Sequence, residues 1–145
     1  MSGLPDDGRS WTLVKGCGAY VDLVGLIYMT KDTLDPGEDV RFGFRVEAHH
    51  CNTRPVCHGG MLATFADISL ARGLRVVRNV PAPLPTITMA LDYLAPAPLG
   101  EWIDARVTVT RTGRGACFAQ LLMYAAGKPI LRASGIYKRF KLAVP

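Results

Sequence analysis

The sequence predicts an α+β domain in which one long buried helix packs on a single antiparallel sheet. Three observations carry that expectation. From about Gly59 to Arg75 the chain is apolar on nearly all sides, through Met61, Leu62, Phe65, Ala66, Ile68, Leu70 and Leu74, which marks a central helix and not a surface one. Four strand-like runs follow it, joined by short turn-rich connections. Two more strand-like runs precede it, on either side of the turn cluster Thr33-Leu-Asp-Pro-Gly-Glu-Asp39.

Taken in order, Met1 to Ser10 is polar and reads as a loose tail, and Trp11 to Ile27 carries Trp11, Tyr20, Val21, Leu23 and Val24 as a possible short docking helix. Residues 1–25 are therefore set apart from a single domain spanning 26–145. Leu26 to Lys31 and Val40 to Ala48 form the first strand pair, the second with Val40, Phe42, Phe44 and Val46 in alternation. A polar loop, His49-His-Cys-Asn-Thr-Arg-Pro-Val-Cys-His58, leads into the helix. Beyond the Pro81 to Pro85 linker come Thr86 to Leu94, Glu101 to Thr112, Ala116 to Ala126 and Ile130 to Phe140. In these, Ile87, Met89, Leu91 and Tyr93 share one face, as do Ile103, Ala105, Val107 and Val109. Because the connections are short, consecutive strands are expected to be antiparallel neighbours.

Composition narrows the class of protein. The 145 residues suffice for one core and hence one kind of site, and 49% hydrophobic with 20% charged residues describes a folding chain. No apolar run approaches the roughly 20 residues of a bilayer span, and Asp6, Asp7 and several Gly and Pro occupy the place of a signal sequence, so a cytoplasmic protein without a membrane partner is expected. Cys17, Cys51, Cys57 and Cys117 form no CxxC pair and are expected to be free thiols. A net charge of +5 favours an anionic partner without choosing one.

The chemistry gathers around the start and middle of the helix. Backbone N–H groups at Gly59 and Gly60 open it, unpaired and at the positive end of its dipole, and glycine lets a substrate come close, which is what a developing oxyanion needs. Asn52 is placed to add a side-chain N–H. Asp67 is a carboxylate whose helical neighbours, Ala63, Thr64, Leu70 and Ala71, include no cation, an arrangement that suits a base acting on water. The alternative is a structural carboxylate satisfied by a distant Arg or by strand N–H groups. Eight residues separate Gly59 from Asp67, about 12 Å of rise and about 80° of rotation, so one helix cannot aim both at one carbonyl. A composite site between two-fold-related subunits resolves this.

Asn52, the string His58-Gly-Gly-Met-Leu-Ala-Thr-Phe-Ala-Asp67 and Tyr93-Leu-Ala-Pro96 leading to Gly100 resemble the PaaI-type acyl-CoA thioesterases of the hotdog superfamily, over about Val40 to Phe140. That resemblance implies the hotdog fold, a long helix wrapped by a curved antiparallel sheet. It implies a homodimer or a dimer-of-dimers tetramer, hydrolysis of acyl-CoA to free acid and CoA, and no metal or other cofactor. It assigns Asp67 as base or nucleophile and places the hydroxyl of Thr86 where it could help hold the attacking water, beside the equal alternative that Thr86 is simply a favourable strand residue. His58 then organises the loop or contacts the carbonyl region, beside the plainer reading that it fixes the turn into the helix. Pro55 stands where many relatives have Gly. Gly60, Arg72, Arg75, Arg111 and Arg114 are the residues suited to bind substrate, the arginines through the CoA phosphates.

Other readings carry less. His49, His50, Cys51, Cys57 and His58 offer soft and nitrogen ligands within ten residues, but their spacing fits no usual zinc pattern. Arg72, Arg75 and Arg78, with Lys138-Arg-Phe-Lys141, are basic without belonging to a nucleic-acid module, and a nucleic-acid partner is not expected. A hotdog protein that binds acyl-CoA without hydrolysing it remains as the alternative function, against which the pairing of Asp67 with Asn52 argues.

Overall fold

A computed structural model describes residues 3–141. Its elements are β1 (Thr12–Leu13), α1 (Ala19–Val24), β2 (Tyr28–Thr30), β3 (Val40–Arg45), a 3₁₀ turn (Ala48–His50), α2 (Gly59–Arg78), β4 (Thr86–Tyr93), β5 (Trp102–Thr112), β6 (Ala116–Ala125) and β7 (Lys128–Lys138). Seven strands make one antiparallel sheet in the order β1-β2-β3-β5-β6-β7-β4, curved around α2 in the hotdog arrangement. The α+β expectation and the hotdog fold are both what the structure has.

Alternation on β3 and β5 explains how the sheet faces its helix. Val40, Phe42, Phe44 and Val46 are buried, as are Ile103, Ala105, Val107 and Val109, and β5 lies beside β3 with Phe42 opposite Ala105. Against them α2 buries Met61, Leu62, Phe65, Ala66, Leu70 and Leu74. The helix is not buried on all sides, as its sequence suggested. Ala63, Thr64, Asp67, Ile68 and Ala71 are only partly covered, because a single sheet covers a single stripe of a helix. Asn79 in the left-handed conformation (φ 54°) ends α2 three residues later than predicted.

One expectation about topology is corrected. β4 and β5 are consecutive but not neighbours: β4 pairs with β7 at the sheet edge, while β5 pairs with β3 and β6. The connection Ala95 to Gly100 does not turn back as a hairpin, because its backbone bonds to other segments. Ala97 C=O accepts from Cys57 N–H at 2.8 Å, Leu99 N–H donates to Pro55 C=O at 2.9 Å, and Gly100 N–H donates to Val46 C=O at 2.9 Å. These bonds carry the chain past the start of α2 to the β3 side of the sheet.

The N-terminal segment also differs from expectation. Trp11 precedes β1 instead of joining a helix, and it is buried edge-on against Trp102, ring centroids 5.1 Å apart. The helix α1 spans only six residues. Tyr20 on it meets Thr64 of α2, hydroxyl to hydroxyl at 3.0 Å.

Candidate active site

At the start of α2, His58 is the N-cap residue, its backbone extended (φ −61°, ψ 138°) and its Nδ1 accepting the Gly60 N–H at 2.8 Å. Met61 and Leu62 N–H donate to the His58 carbonyl at 3.0 and 3.2 Å. The sequence offered both glycine N–H groups to a substrate. The structure engages that of Gly60 and leaves that of Gly59 without an acceptor among the described residues. The peptide joining the two glycines is gripped at its other polar end as well, since the Tyr93 hydroxyl donates to the Gly59 carbonyl at 2.7 Å. A Cβ on Gly59 would lie 3.3 Å from the Tyr93 ring, a tight contact that the ring would have to relieve by a few tenths of an ångström.

The loop that carries Asn52 is tied down on several sides. Cys51 and Cys57 face each other in an isolated antiparallel bridge, flanked by Asn52 N–H to Val56 C=O at 3.1 Å and His58 N–H to His50 C=O at 2.8 Å. Pro55 sits at the centre of a three-residue turn closed by Val56 N–H to Arg54 C=O at 2.8 Å, a place where its missing donor costs nothing. The Asn52 Oδ1 accepts the Arg54 N–H at 2.7 Å, which orients the amide and leaves Nδ2 as an exposed donor without a partner among the described residues.

Asp67 lies half-buried in the middle of α2. Thr86 Oγ1 donates to its Oδ1 at 2.7 Å, and the Tyr137 hydroxyl donates to the same oxygen at 2.8 Å. Among the described residues Oδ2 accepts nothing and no Lys or Arg forms an ion pair with the carboxylate. Its partners are thus neither the distant arginine nor the strand N–H groups that the sequence left open, but two hydroxyls. A bulge in β4 brings them together: Thr86 opposes Tyr137 whereas Thr88 opposes Ile136, so Ile87 is the extra residue. Directly opposite residues share a face; in an unbroken register Ile87 would oppose Tyr137, and Thr86 would point away from α2. Burial first, and then the Asp67 charge, push the Tyr137 hydroxyl well above the ordinary tyrosine range, so it stays a donor.

The proposed substrate-binding arginines are not gathered in one place. Arg72 spends an N–H on the Lys15 carbonyl at 2.8 Å, tying the N-terminal segment to α2. Arg75 is exposed in the last turns of the helix, and Arg111 and Arg114 are exposed where β5 turns into β6, Arg111 beside a bulge after Val109. Sequence reading missed two tyrosines. Tyr137 was open to detection as a polar-tipped side chain among the inward positions Ala133 and Gly135 of β7, whereas nothing in the pattern tied Tyr93 to Gly59.

Of the five residues weighed as a zinc set, the structure groups only His49 and His50, joined by Glu47, with candidate donor atoms within 4.8 Å of one another. Both nitrogens of His50 are already engaged: Nδ1 accepts the Glu47 N–H at 2.9 Å and Nε2 bonds the Val24 carbonyl. A neutral ring with its proton on Nε2 satisfies both bonds, in line with the downward push of burial on its protonation. His58 Nδ1 caps the helix, and Cys57 is buried with its thiol pushed up to about 12.

Residues 55–129, just over half the chain, match the family model of the thioesterase superfamily. The chain belongs to the thioesterase superfamily. A Pseudomonas aeruginosa protein named as a presumed esterase is 27% identical over 117 residues, covering 81% of this chain and 85% of that one. Human acyl-coenzyme A thioesterase 13 is 35% identical over 89 residues, which span 59% of this chain and 62% of its own length. In fold, the phenylacetic acid degradation protein PaaI of Thermus thermophilus superposes with a TM-score of 0.64 at 22% identity, covering 83% of this chain and 98% of that one. Membership of this superfamily supports thioester hydrolysis as the general chemistry of the chain.

Proposed function

We propose that this thioesterase-superfamily chain hydrolyses acyl-CoA thioesters to the free acid and CoA, with Asp67 as general base. The observation that carries the proposal is the grip on Asp67: two hydroxyl donors hold Oδ1, and among the described residues Oδ2 is left open to a water. A water accepted by Oδ2 gives up its proton as it attacks the thioester carbon. The carbonyl oxygen gains negative charge, met by the Gly59 N–H and the Asn52 Nδ2. Collapse of the tetrahedral species breaks the C–S bond, and the proton held by Asp67 passes to the departing CoA sulfur, which restores the carboxylate. Likeness to acyl-coenzyme A thioesterase 13 supports CoA as the thiol.

In this reading the site is composite, with the Asn52 and Gly59 loop of one subunit facing Asp67 of another. Two features support it. The partly covered side of α2 carries Asp67, and β4 is an edge strand with Ile87 and Tyr93 exposed, a surface suited to a second copy about a two-fold axis. A homodimer or a dimer of dimers satisfies both.

The test is a hydrolysis screen over short, medium, long-chain and aryl acyl-CoAs with thiol release as the readout. Turnover of at least one class is the expected result. Saturable acyl-CoA binding with no thiol release across the screen would replace the enzyme with a carrier or sensor.

A further inference from the structure

We propose that Tyr137 is the positioning residue of the water-activating carboxylate, and that Gly135 gives its ring the room to act. This rests on the hydrolytic reading of Asp67 and names a determinant of the same site.

The hydroxyl of Tyr137 is expensive where it stands. The residue is 0% exposed on the helix-facing side of β7, where phenylalanine would fill the same space without a polar atom to satisfy. Its return comes from one residue: the hydroxyl donates to Asp67 Oδ1 at 2.8 Å and lies 3.3 Å from the Asp67 backbone carbonyl. Thr86 adds its own donation to Oδ1 from an exposed position. With one oxygen fixed from the buried side and from the open side, the carboxylate plane is set and Oδ2 has one direction. Tyr137 is buried away from any substrate, so its effect passes through Asp67.

Gly135 makes the ring position accessible. A Cβ there would lie 2.7 Å from the Tyr137 ring, 3.2 Å from its hydroxyl oxygen and 3.1 Å from Leu70. An alanine therefore pushes the ring off its place while keeping the hydroxyl in the protein. Two substitutions on one strand thus disturb one hydrogen bond by different routes.

The experiment measures kcat, KM and the pH dependence of kcat/KM for Tyr137→Phe and Gly135→Ala, with Asp67→Asn alongside, on the best acyl-CoA from the screen. Loss of a hydrogen bond to a charged group is expected to lower kcat about tenfold. KM should stay within about twofold, because binding is untouched, and the acid limb should move to higher pH, because the carboxylate has lost a donor. A wild-type kcat and pH profile for Tyr137→Phe would overturn the proposal. So would a fall in kcat matched by a rise in KM and a collapse of the thermal midpoint, the pattern of a merely structural residue. If Tyr137→Phe does not fold, the decision passes to Gly135→Ala, whose unaltered kcat overturns the proposal. An active Asp67→Asn sinks the hydrolytic reading and this inference together, whereas an inactive one beside an unaltered Tyr137→Phe removes only the role of Tyr137.

Discussion

Tyr93 holds Gly59 by its carbonyl, hydroxyl to oxygen at 2.7 Å, while His58 holds the N–H of the same peptide unit at Gly60. Of the two glycine N–H groups, that of Gly59 is the one without an acceptor among the described residues. In Tyr93→Phe the peptide loses one of its two restraints but the ring still covers Gly59. A net hydrogen bond of about 1 kcal/mol corresponds to about a fivefold loss of kcat/KM. Steady-state kinetics check this, and an unchanged kcat/KM would leave Tyr93 without a role in aiming the donor.

Asp67→Asn keeps a carbonyl oxygen for Thr86 and Tyr137 to bond, so the fold of α2 against β4 and β7 is retained. What disappears is the base. Turnover is expected to drop at least ~100-fold with the oligomer intact, read by thiol release beside size-exclusion chromatography. Near-normal turnover would remove Asp67 from the mechanism.

The composite site gives a sharper expectation. Asp67→Asn subunits lack the base and Asn52→Ala subunits lack one oxyanion donor, yet a mixed dimer contains one site with both. Mixing the two inactive proteins should restore part of the activity once subunits exchange. Exchange proven by mass spectrometry without recovery would place the whole site in one chain.

His50 and His49 together hold the C-terminal end of α1 through the Val24 carbonyl. Burial lowers the His50 protonation below its ordinary value of 6.5, with His49 adding to the effect and the Val24 bond and Glu47 opposing it. A depressed folded value means that the stability from a neutral His50 is full above about 6.5 and is lost as the pH falls through the folded value. Hydrogen exchange of α1 is expected to quicken relative to the sheet as pH is lowered from neutral to mildly acidic. The difference should vanish in His50→Asn, and equal acceleration in both proteins would exonerate the histidine.

Thiol reactivity follows burial. With Cys57 pushed up to about 12 and Cys117 also raised, both by desolvation first, alkylation at mildly alkaline pH should label the half-exposed Cys17 and Cys51 before either. Peptide mapping after brief iodoacetamide treatment reads the order, and early labelling of Cys57 would mean that the loop around Asn52 opens.

Several features were legible in the chain because they depend on neighbours in sequence. Alternation along Val40 to Val46 and Ile103 to Val109 specifies strands with one apolar face, and the apolar run after His58-Gly-Gly specifies the helix they cover. The positions of Asn52, Gly59 and Asp67 relative to that helix follow from its start, and so does the argument that one helix cannot serve both halves of a site. Strand order was a different matter: a six-residue connection serves as a hairpin or as a crossing, and the bonds of Ala97 and Leu99 to the loop before α2 decide which. Likewise the partner of Asp67 lies 70 residues away on β7, and Thr86 faces it only because a bulge shifts the register by one. The sequence by itself determined six of the seven strands, the long helix they cover, and where a carboxylate and a glycine N–H fall along it, since periodicity and helix geometry are local. Only the tertiary structure decided what grips that carboxylate and which glycine N–H stays free, because hydrogen bonds between distant segments are settled when the sheet closes over the helix.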